Sequence, residues 1–162
     1  METRRSLLAR GLFFLGVAKL GGLLGAITAA ARAVRSVTIP FSGTVSGGPE
    51  RVRVSGLVRI TSTLVKTDAR FNHPRRVILA FDLNNVSGRG LSTGTRYVAR
   101  SRDEVMRPLV ATDVVEIGFP LQPKVARGFT AARGGLASFR LSFDVNTGAL
   151  TGGTATVGAP GT

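Results

Sequence analysis

The chain has no cysteine among its 162 residues, a single histidine and only nine acidic residues. Without cysteine it cannot form disulfides, thiolate metal sites, a cysteine nucleophile or a lipid anchor at a cysteine. The lone histidine, His73, leaves too few nitrogen ligands for a tight transition-metal site. The sequence therefore predicts a domain that is held by its apolar core alone and that needs no metal or other cofactor.

An uninterrupted long apolar run is also missing. Residues 11–31 are mostly apolar, but Lys19 divides them, and a lysine near the middle of a bilayer costs about 2.5–3.5 kcal/mol. The five glycines of the stretch each weaken a helix by about 1 kcal/mol relative to alanine. We therefore interpret residues 1–33 as an export signal containing a short signal helix. An uncleaved membrane anchor and an ordinary N-terminal helix are the alternatives.

The two ends of this segment carry the features of such a signal. Arg4 and Arg5 precede the apolar part, and Ala31 and Ala33 form a small-x-small site for a signal peptidase. The stretch Thr-Arg-Arg-Ser-Leu-Leu at residues 3–8 resembles a twin-arginine export signal. That resemblance implies that export machinery recognises the chain and carries the folded domain to the periplasm or the cell exterior. The general secretory route is the alternative.

The remaining residues, 34–162, are enough for one domain with a proper core. They contain 17 basic and 8 acidic residues, which gives a formal charge of +9. All but two of the bases are arginine. Two explanations fit this excess of arginine. Arginine can bind phosphate or carboxylate groups with two hydrogen bonds, and a genome rich in G and C also favours arginine codons.

Apolar residues alternate with polar ones through most of this domain. A period of two places the apolar residues of each run on one face of a β-strand. The predicted inward-facing set is Val37, Ile39, Phe41, Val52, Val54, Val58, Ile60, Leu64, Val77, Leu79, Phe81, Leu83, Val115, Ile117, Phe119, Phe139, Leu141, Phe143 and Val145. A last strand is predicted at about residues 150–157, after a tight turn at Asn146-Thr147-Gly148.

These runs predict an all-β fold of about seven strands, either an antiparallel β-sandwich or a small β-barrel, with the sandwich preferred. Residues 88–94 and 120–135 are expected to form long loops, where binding sites often lie. Residues 103–106 are expected to form a short helical turn, which Pro108 would soon end.

Two groups of arginines indicate a positively charged surface. Arg51, Arg53 and Arg59 share the predicted outer face of one strand, and Arg70, Arg75 and Arg76 follow around the next loop. Such a surface attracts anionic polymers by releasing their counterions. Few aromatic residues accompany the bases, and platforms that read nucleic acid usually stack bases on aromatic rings. We therefore expect contact with an anionic polymer or with the cell envelope, without specific recognition of nucleic acid.

Catalytic motifs are weak. Ser92 lies in a G-x-S-x-G pattern, but the nucleophile elbow needs a strand-turn-helix context and a later histidine, whereas His73 precedes it. A set of His73, Asp82 and Ser92 has no supporting spacing. Asp82, with two asparagines after it, offers too few carboxylates for calcium. The sequence thus favours an exported, non-enzymatic domain with a binding or structural role. A carrier of small apolar ligands and a hydrolase of unfamiliar type are the alternatives.

Overall fold

The computed structural model describes residues 35–46, 50–65, 74–124 and 133–158. The predicted export signal, with Arg4, Arg5, Ala31 and Ala33, lies outside these ranges, and so does Arg70. Within the described ranges, no helix is long and apolar enough to cross a membrane.

The described residues form β-strands joined by turns, and none of them is helical, which confirms the all-β prediction. The described residues contain nine strands instead of about seven. Their bounds are β1 Arg35–Val45, β2 Val52–Leu64, β3 Arg76–Asp82, β4 Val86–Gly90, β5 Arg96–Ala99, β6 Arg102–Pro108, β7 Thr112–Pro123, β8 Arg133–Asp144 and β9 Ala149–Gly158.

The higher strand count arises because two long strands are interrupted. β3 and β4 pair one after the other with β2, which is antiparallel to both. Between them, the amide of Asn84 donates to the Asp82 carboxylate, which forms a turn. Arg59 lies opposite Asp82, and Gly56 lies opposite Val86. The chain thus advances four residues from Asp82 to Val86 while β2 advances only three, which is the extra residue of a β-bulge. β5 and β6 are likewise separated by only two residues.

All nine strands belong to one sheet, in the order β1-β9-β8-β7-β5-β4-β2-β3-β6, and β1 also pairs with β2. The sequence of pairings therefore closes into a ring, as in a barrel. The ring has two sparsely paired seams. One lies between β1 and β9, and the other lies between β7 and the interrupted strand β5–β6, of which only β5 pairs with β7 in the described residues. They separate β1–β6 from β7–β9, so the wall has two sides that face each other across the core. This arrangement explains why the same alternation fits both a sandwich and a barrel.

The seam between β1 and β9 has a single parallel bridge, which joins Gly43 to Val157. A Cβ placed on Gly43 would lie 2.5 Å from the Cβ of Val157. Only glycine therefore permits this approach of the two backbones, and the closure of the ring depends on it.

The core fills the space that the sheet encloses. Phe41 of β1 lies 5.5 Å from Phe119 of β7 and 6.1 Å from Phe139 of β8, between ring centroids, and Phe81 of β3 lies 5.0 Å from Phe139. These rings join strands that are not neighbours, and such aromatic pairs contribute about 0.5–1.5 kcal/mol each beyond area burial. The interior is thus occupied by side chains drawn from opposite sides of the wall.

Most of the predicted inward-facing residues are buried, and Val37 and Leu64 are partly buried against the core. Val145 is the exception, because it is 44 % exposed. It follows the last residue of β8, where the chain enters the turn to β9 and the alternation between faces ends.

Three local predictions are corrected by the strand bounds. Residues 103–106 belong to β6 and not to a helical turn, because pairing with β3 outweighs local preference. The expected loop at 88–94 begins inside β4, and the expected loop at 120–135 has its first residues in β7 and its last in β8. Residues 125–132 of that loop lie outside the described ranges.

Candidate anion-binding groove

Three arginines lie directly side by side on the outer face of the sheet. Arg53 of β2 is the cross-strand partner of Arg89 of β4, and Arg89 is also the partner of Arg96 of β5. A fourth cation, Lys124, follows the end of β7, and its backbone amide donates to the Arg96 carbonyl over 2.8 Å. We call these four residues the basic row.

Alternation along the strands explains why the row points outwards. All four residues of the row are exposed, whereas Val52, Val54 and Tyr97, which adjoin them in sequence, are buried in the core. The row therefore results from the register of three strands, since each strand contributes one cation at the same level.

The basic row borders a groove of about 390 Å³. Ser55 and Ser87, which are cross-strand partners two residues from Arg53 and Arg89, add hydroxyl groups to the groove, and Val98 adds an apolar contact. Anion oxygens could accept hydrogen bonds from both the guanidinium groups and the hydroxyls.

Like charges directly opposite one another destabilise a sheet. Among the residues that the structure describes, no carboxylate lies within ion-pair distance of any member of the basic row. The row therefore combines a cost to stability with a concentrated positive field, and such a field raises the local concentration of anions.

A buried carboxylate fixes the hairpin under the row. Glu50, which precedes β2, is only 8 % exposed. Its carboxylate accepts hydrogen bonds from the backbone amide of Thr93 at 3.0 Å, from the Thr93 hydroxyl at 2.9 Å and from the phenol of Tyr97 at 2.9 Å. This network ties the turn between β4 and β5, and thus Arg89 and Arg96, to the start of β2.

The same hydrogen bonds set the protonation of Glu50. The amide of Thr93 holds the pKa of the Glu50 carboxyl below its usual range, although burial acts in the opposite direction. The charged form therefore prevails at neutral pH, and the network stays intact there.

Of the arginines predicted from the sequence to bind polyanions, only Arg53 belongs to the basic row. Arg59 lies opposite Asp82 on β3. These two residues line a separate groove together with Arg102, Asp103 and Glu104. Arg51 is exposed just before β2, and its carbonyl accepts a bond from the amide of Leu91. The structure thus divides the strand face that the sequence treats as one patch.

The second predicted group is divided as well. Arg75 donates to the carbonyls of Val145 and Asn146, both over 2.9 Å, and so supports the turn between β8 and β9. Arg76 reaches the Met106 sulfur at 3.8 Å. Arg70 lies outside the described ranges. Arg75 and Arg76 therefore have structural contacts away from the basic row.

Sequence reasoning missed Arg89, Arg96 and Lys124 as partners of Arg53. The available signal is the spacing of Arg89 and Arg96 around the Gly90–Gly94 turn, which suits a hairpin. Their alignment with Arg53 also depends on the register between β4 and β2, which the bulge after Asp82 sets. Local spacing does not reveal that register.

The residues of the hydrolase alternative are not brought together. Ser92 lies exposed in the turn after β4, whereas Asp82 lies before the start of β4 and bonds to Arg102. Arg59, opposite Asp82, and Arg51, which bonds Leu91, are eight residues apart, so about 26 Å of strand separates the two sites at roughly 3.3 Å per residue. His73 lies outside the described ranges. Within those ranges, no three His, Cys, Asp or Glu side chains are grouped so that they could hold a metal ion.

Comparison of the chain with protein-family models, with curated proteins and with solved structures gives no match.

Proposed function

We propose that the protein is an exported, non-enzymatic binding domain that holds an anionic polymer along its basic row. The observation that carries this proposal is the direct cross-strand alignment of Arg53, Arg89 and Arg96, extended by Lys124. Adjacent strands lie about 4.8 Å apart, so the row presents cations at short intervals. A ligand with closely repeated anionic groups matches that arrangement.

The groove favours an anionic polysaccharide or polyphosphate over a nucleic acid that is read by its bases. Every aromatic side chain in the described ranges is buried, including Tyr97, which is 3 % exposed. Bases therefore find no ring there on which to stack. The hydroxyls of Ser55 and Ser87 suit the oxygen-rich surface of a sugar or phosphate chain.

A carrier of small apolar ligands is less well supported. Such a carrier needs empty space inside the ring, whereas four phenylalanines from four different strands meet in the interior. The open groove of the basic row lies on the outer face instead, so the proposed ligand binds on the surface of the sheet.

Binding to heparin and to a DNA oligonucleotide across a range of salt concentrations tests the proposal. Arg89→Ser/Arg96→Ser should weaken binding to both, and for DNA the plot of log K against log salt should become shallower by roughly 1.5, since each contact contributes about 0.7–0.9. Arg59→Ser/Arg140→Ser removes the same charge from exposed sites outside the row and should have a smaller effect on both quantities. Equal losses in the two variants would show that net charge alone drives binding.

Export is tested separately. We propose that the segment ending at Ala33 is removed and that Arg4 and Arg5 direct the chain to the twin-arginine route. Mass spectrometry of the exported protein should place the new N-terminus near Val34. Arg4→Lys/Arg5→Lys should block export, and continued export would indicate the general secretory route. A full-length chain in the membrane fraction would contradict cleavage.

A further inference from the structure

A slot interrupts the wall of the sheet between β6 and β7. At one end of the slot Ala99 of β5 pairs with Leu121 of β7. If that register is continued, Arg107 stands opposite Asp113, and their side chains do meet, with nitrogen–oxygen distances of 2.7 and 2.9 Å. Between these two points, no ladder pairing joins β6 to β7 in the described residues.

The edges of the slot are two strands that are each paired on one side only over this length. β6 pairs with β3, and this part of β7 pairs with β8. The backbones across the slot stay further apart than those of paired strands, and a groove of about 560 Å³ occupies the gap. Strand edges of this kind can form main-chain hydrogen bonds with an added extended segment.

Side chains around the slot alternate in a way that restricts what can occupy it. The same register puts Val105 opposite Val115 on the floor. On the outer face, it puts Met106 opposite Val114, which are 53 % and 47 % exposed. At this level both the floor and the rim of the slot are thus apolar, whereas the next floor position places the half-buried Asp103 opposite Ile117.

The next level of the rim is acidic. Glu104 of β6 and Glu116 of β7 stand opposite each other in this register, and both are exposed. Within the described ranges, neither carboxylate has a cation within ion-pair distance, although Glu104 also borders the groove that Arg59 and Arg102 line. Two facing carboxylates on a domain whose formal charge is strongly positive favour a cationic occupant over an anionic one.

We propose that the slot binds one extended segment of a partner protein, about six residues long, whose outward side chains are apolar and then basic and whose inward side chain over Val105 and Val115 is apolar. Main-chain bonds to β6 and β7 hold the segment, Met106 and Val114 contact its apolar side chain, and Glu104 and Glu116 pair with its base. This interaction uses a surface separate from the basic row.

Two synthetic peptides test this proposal. The first has the core Val-Leu-Val-Lys-Val between threonine flanks, and the second has Glu in place of Lys. The full domain should bind the lysine peptide about tenfold more tightly than the glutamate peptide. Glu104→Lys/Glu116→Lys should reverse that preference, and Glu104→Gln/Glu116→Gln should abolish it. Circular dichroism checks that each variant is folded, which exposed substitutions should permit.

Hydrogen exchange identifies the bound surface. The lysine peptide should slow exchange at amides in residues 101–106 and 114–119. Equal affinity for the two peptides, or protection confined to other strands, would overturn the proposal. It would also be overturned if these amides were already protected without peptide, since another part of the chain would then cover the slot. Protection that rises with protein concentration would assign the slot to a second copy of the chain.

Discussion

The phenol of Tyr97 donates a 2.9 Å hydrogen bond to Oε1 of Glu50 from within the core of the sheet, where both side chains are buried. Tyr97 lies next to Arg96 of the basic row, on the opposite face of β5. The bond therefore connects the inner support of the hairpin to the outer groove. Loss of this bond should affect both stability and the position of the groove.

Tyr97→Phe should lower the free energy of unfolding by on the order of 1–2 kcal/mol. The ring stays in the core, but the buried Glu50 carboxylate loses a donor. Urea unfolding followed by circular dichroism measures the change. Thr112→Val, at an exposed position at the start of β7, is a control that should leave the midpoint nearly unchanged. An unchanged midpoint for Tyr97→Phe would show that the phenol bond contributes nothing.

Acid should destabilise the domain partly through Glu50. The amide of Thr93 holds the pKa of Glu50 below its usual range in the folded state. The unfolded chain therefore binds a proton more readily, and this contribution to stability is present above the usual glutamate range and is lost as the pH falls through the lowered value. Unfolding midpoints measured between about pH 7 and about pH 3 should fall less steeply for Glu50→Gln than for the wild type.

Glu116→Gln is the matched control for this pH series, because it removes an exposed carboxylate from the outer face of β7. It should retain the acid sensitivity of the wild type. If Glu50→Gln retained it equally, the acid loss would arise from other carboxylates. Asp113 is one candidate, since hydrogen bonding to Arg107 lowers its pKa as well.

Gly148→Ala should destabilise the turn between β8 and β9. Gly148 has φ of +71°, which is strained for a residue with a side chain, and an added Cβ would lie 3.0 Å from the Leu64 side chain. Its carbonyl also accepts a 2.7 Å bond from the buried Ser62 hydroxyl. We expect a loss of about 1–2 kcal/mol in thermal or urea unfolding.

Gly118→Ala is the corresponding control. A Cβ at Gly118 has no heavy atom within 4 Å. The change should be neutral or slightly stabilising, because alanine restricts the unfolded chain more than glycine does. Similar losses at the two positions would contradict a specific role for the backbone conformation of Gly148.

Asp113→Asn should weaken the ion pair between Arg107 and Asp113 at the end of the slot. The Asp113 carboxylate takes two bonds from Arg107, and the Arg107 guanidinium is partly exposed. Solvent screens such a pair, so we expect a loss of on the order of 1 kcal/mol in stability. Hydrogen exchange should also become faster at residues 109–111, which link β6 to β7. Unchanged exchange there would show that the pair does not hold the two strands together.

Much of the fold could be predicted from the sequence, because alternation is a local signal. Phe139, Leu141 and Phe143 point inwards since each inward side chain gains burial in the core. The interruption after Asp82 could not be located, because apolar alternation continues through Leu83. The bulge follows instead from a local bond between Asn84 and Asp82 together with pairing to β2.

The candidate groove was predicted only at Arg53. An arginine on an outer strand face is visible in the sequence, but its neighbours across the sheet are not. Arg59 shares the strand and the face of Arg53, yet its cross-strand partner is Asp82, whereas that of Arg53 is Arg89. The electrostatic environment of each arginine therefore depends on non-local register.

Arg89→Thr should stabilise the domain while it weakens binding of anionic polymers. Arg89 lies directly between Arg53 and Arg96, so its removal relieves repulsion on both sides, and threonine suits an exposed strand position. We expect a gain of about 0.5–1 kcal/mol at low salt, which should shrink as salt screens the charges. Arg140→Thr removes the same charge from β8, where the partners are Val114 and Thr154, and should give little gain. Urea unfolding at two salt concentrations, together with heparin binding, measures both effects. A loss of stability in Arg89→Thr would mean that the row is not under electrostatic strain. A gain in stability with unchanged heparin affinity would mean that Arg89 does not contribute to the binding of anionic polymers.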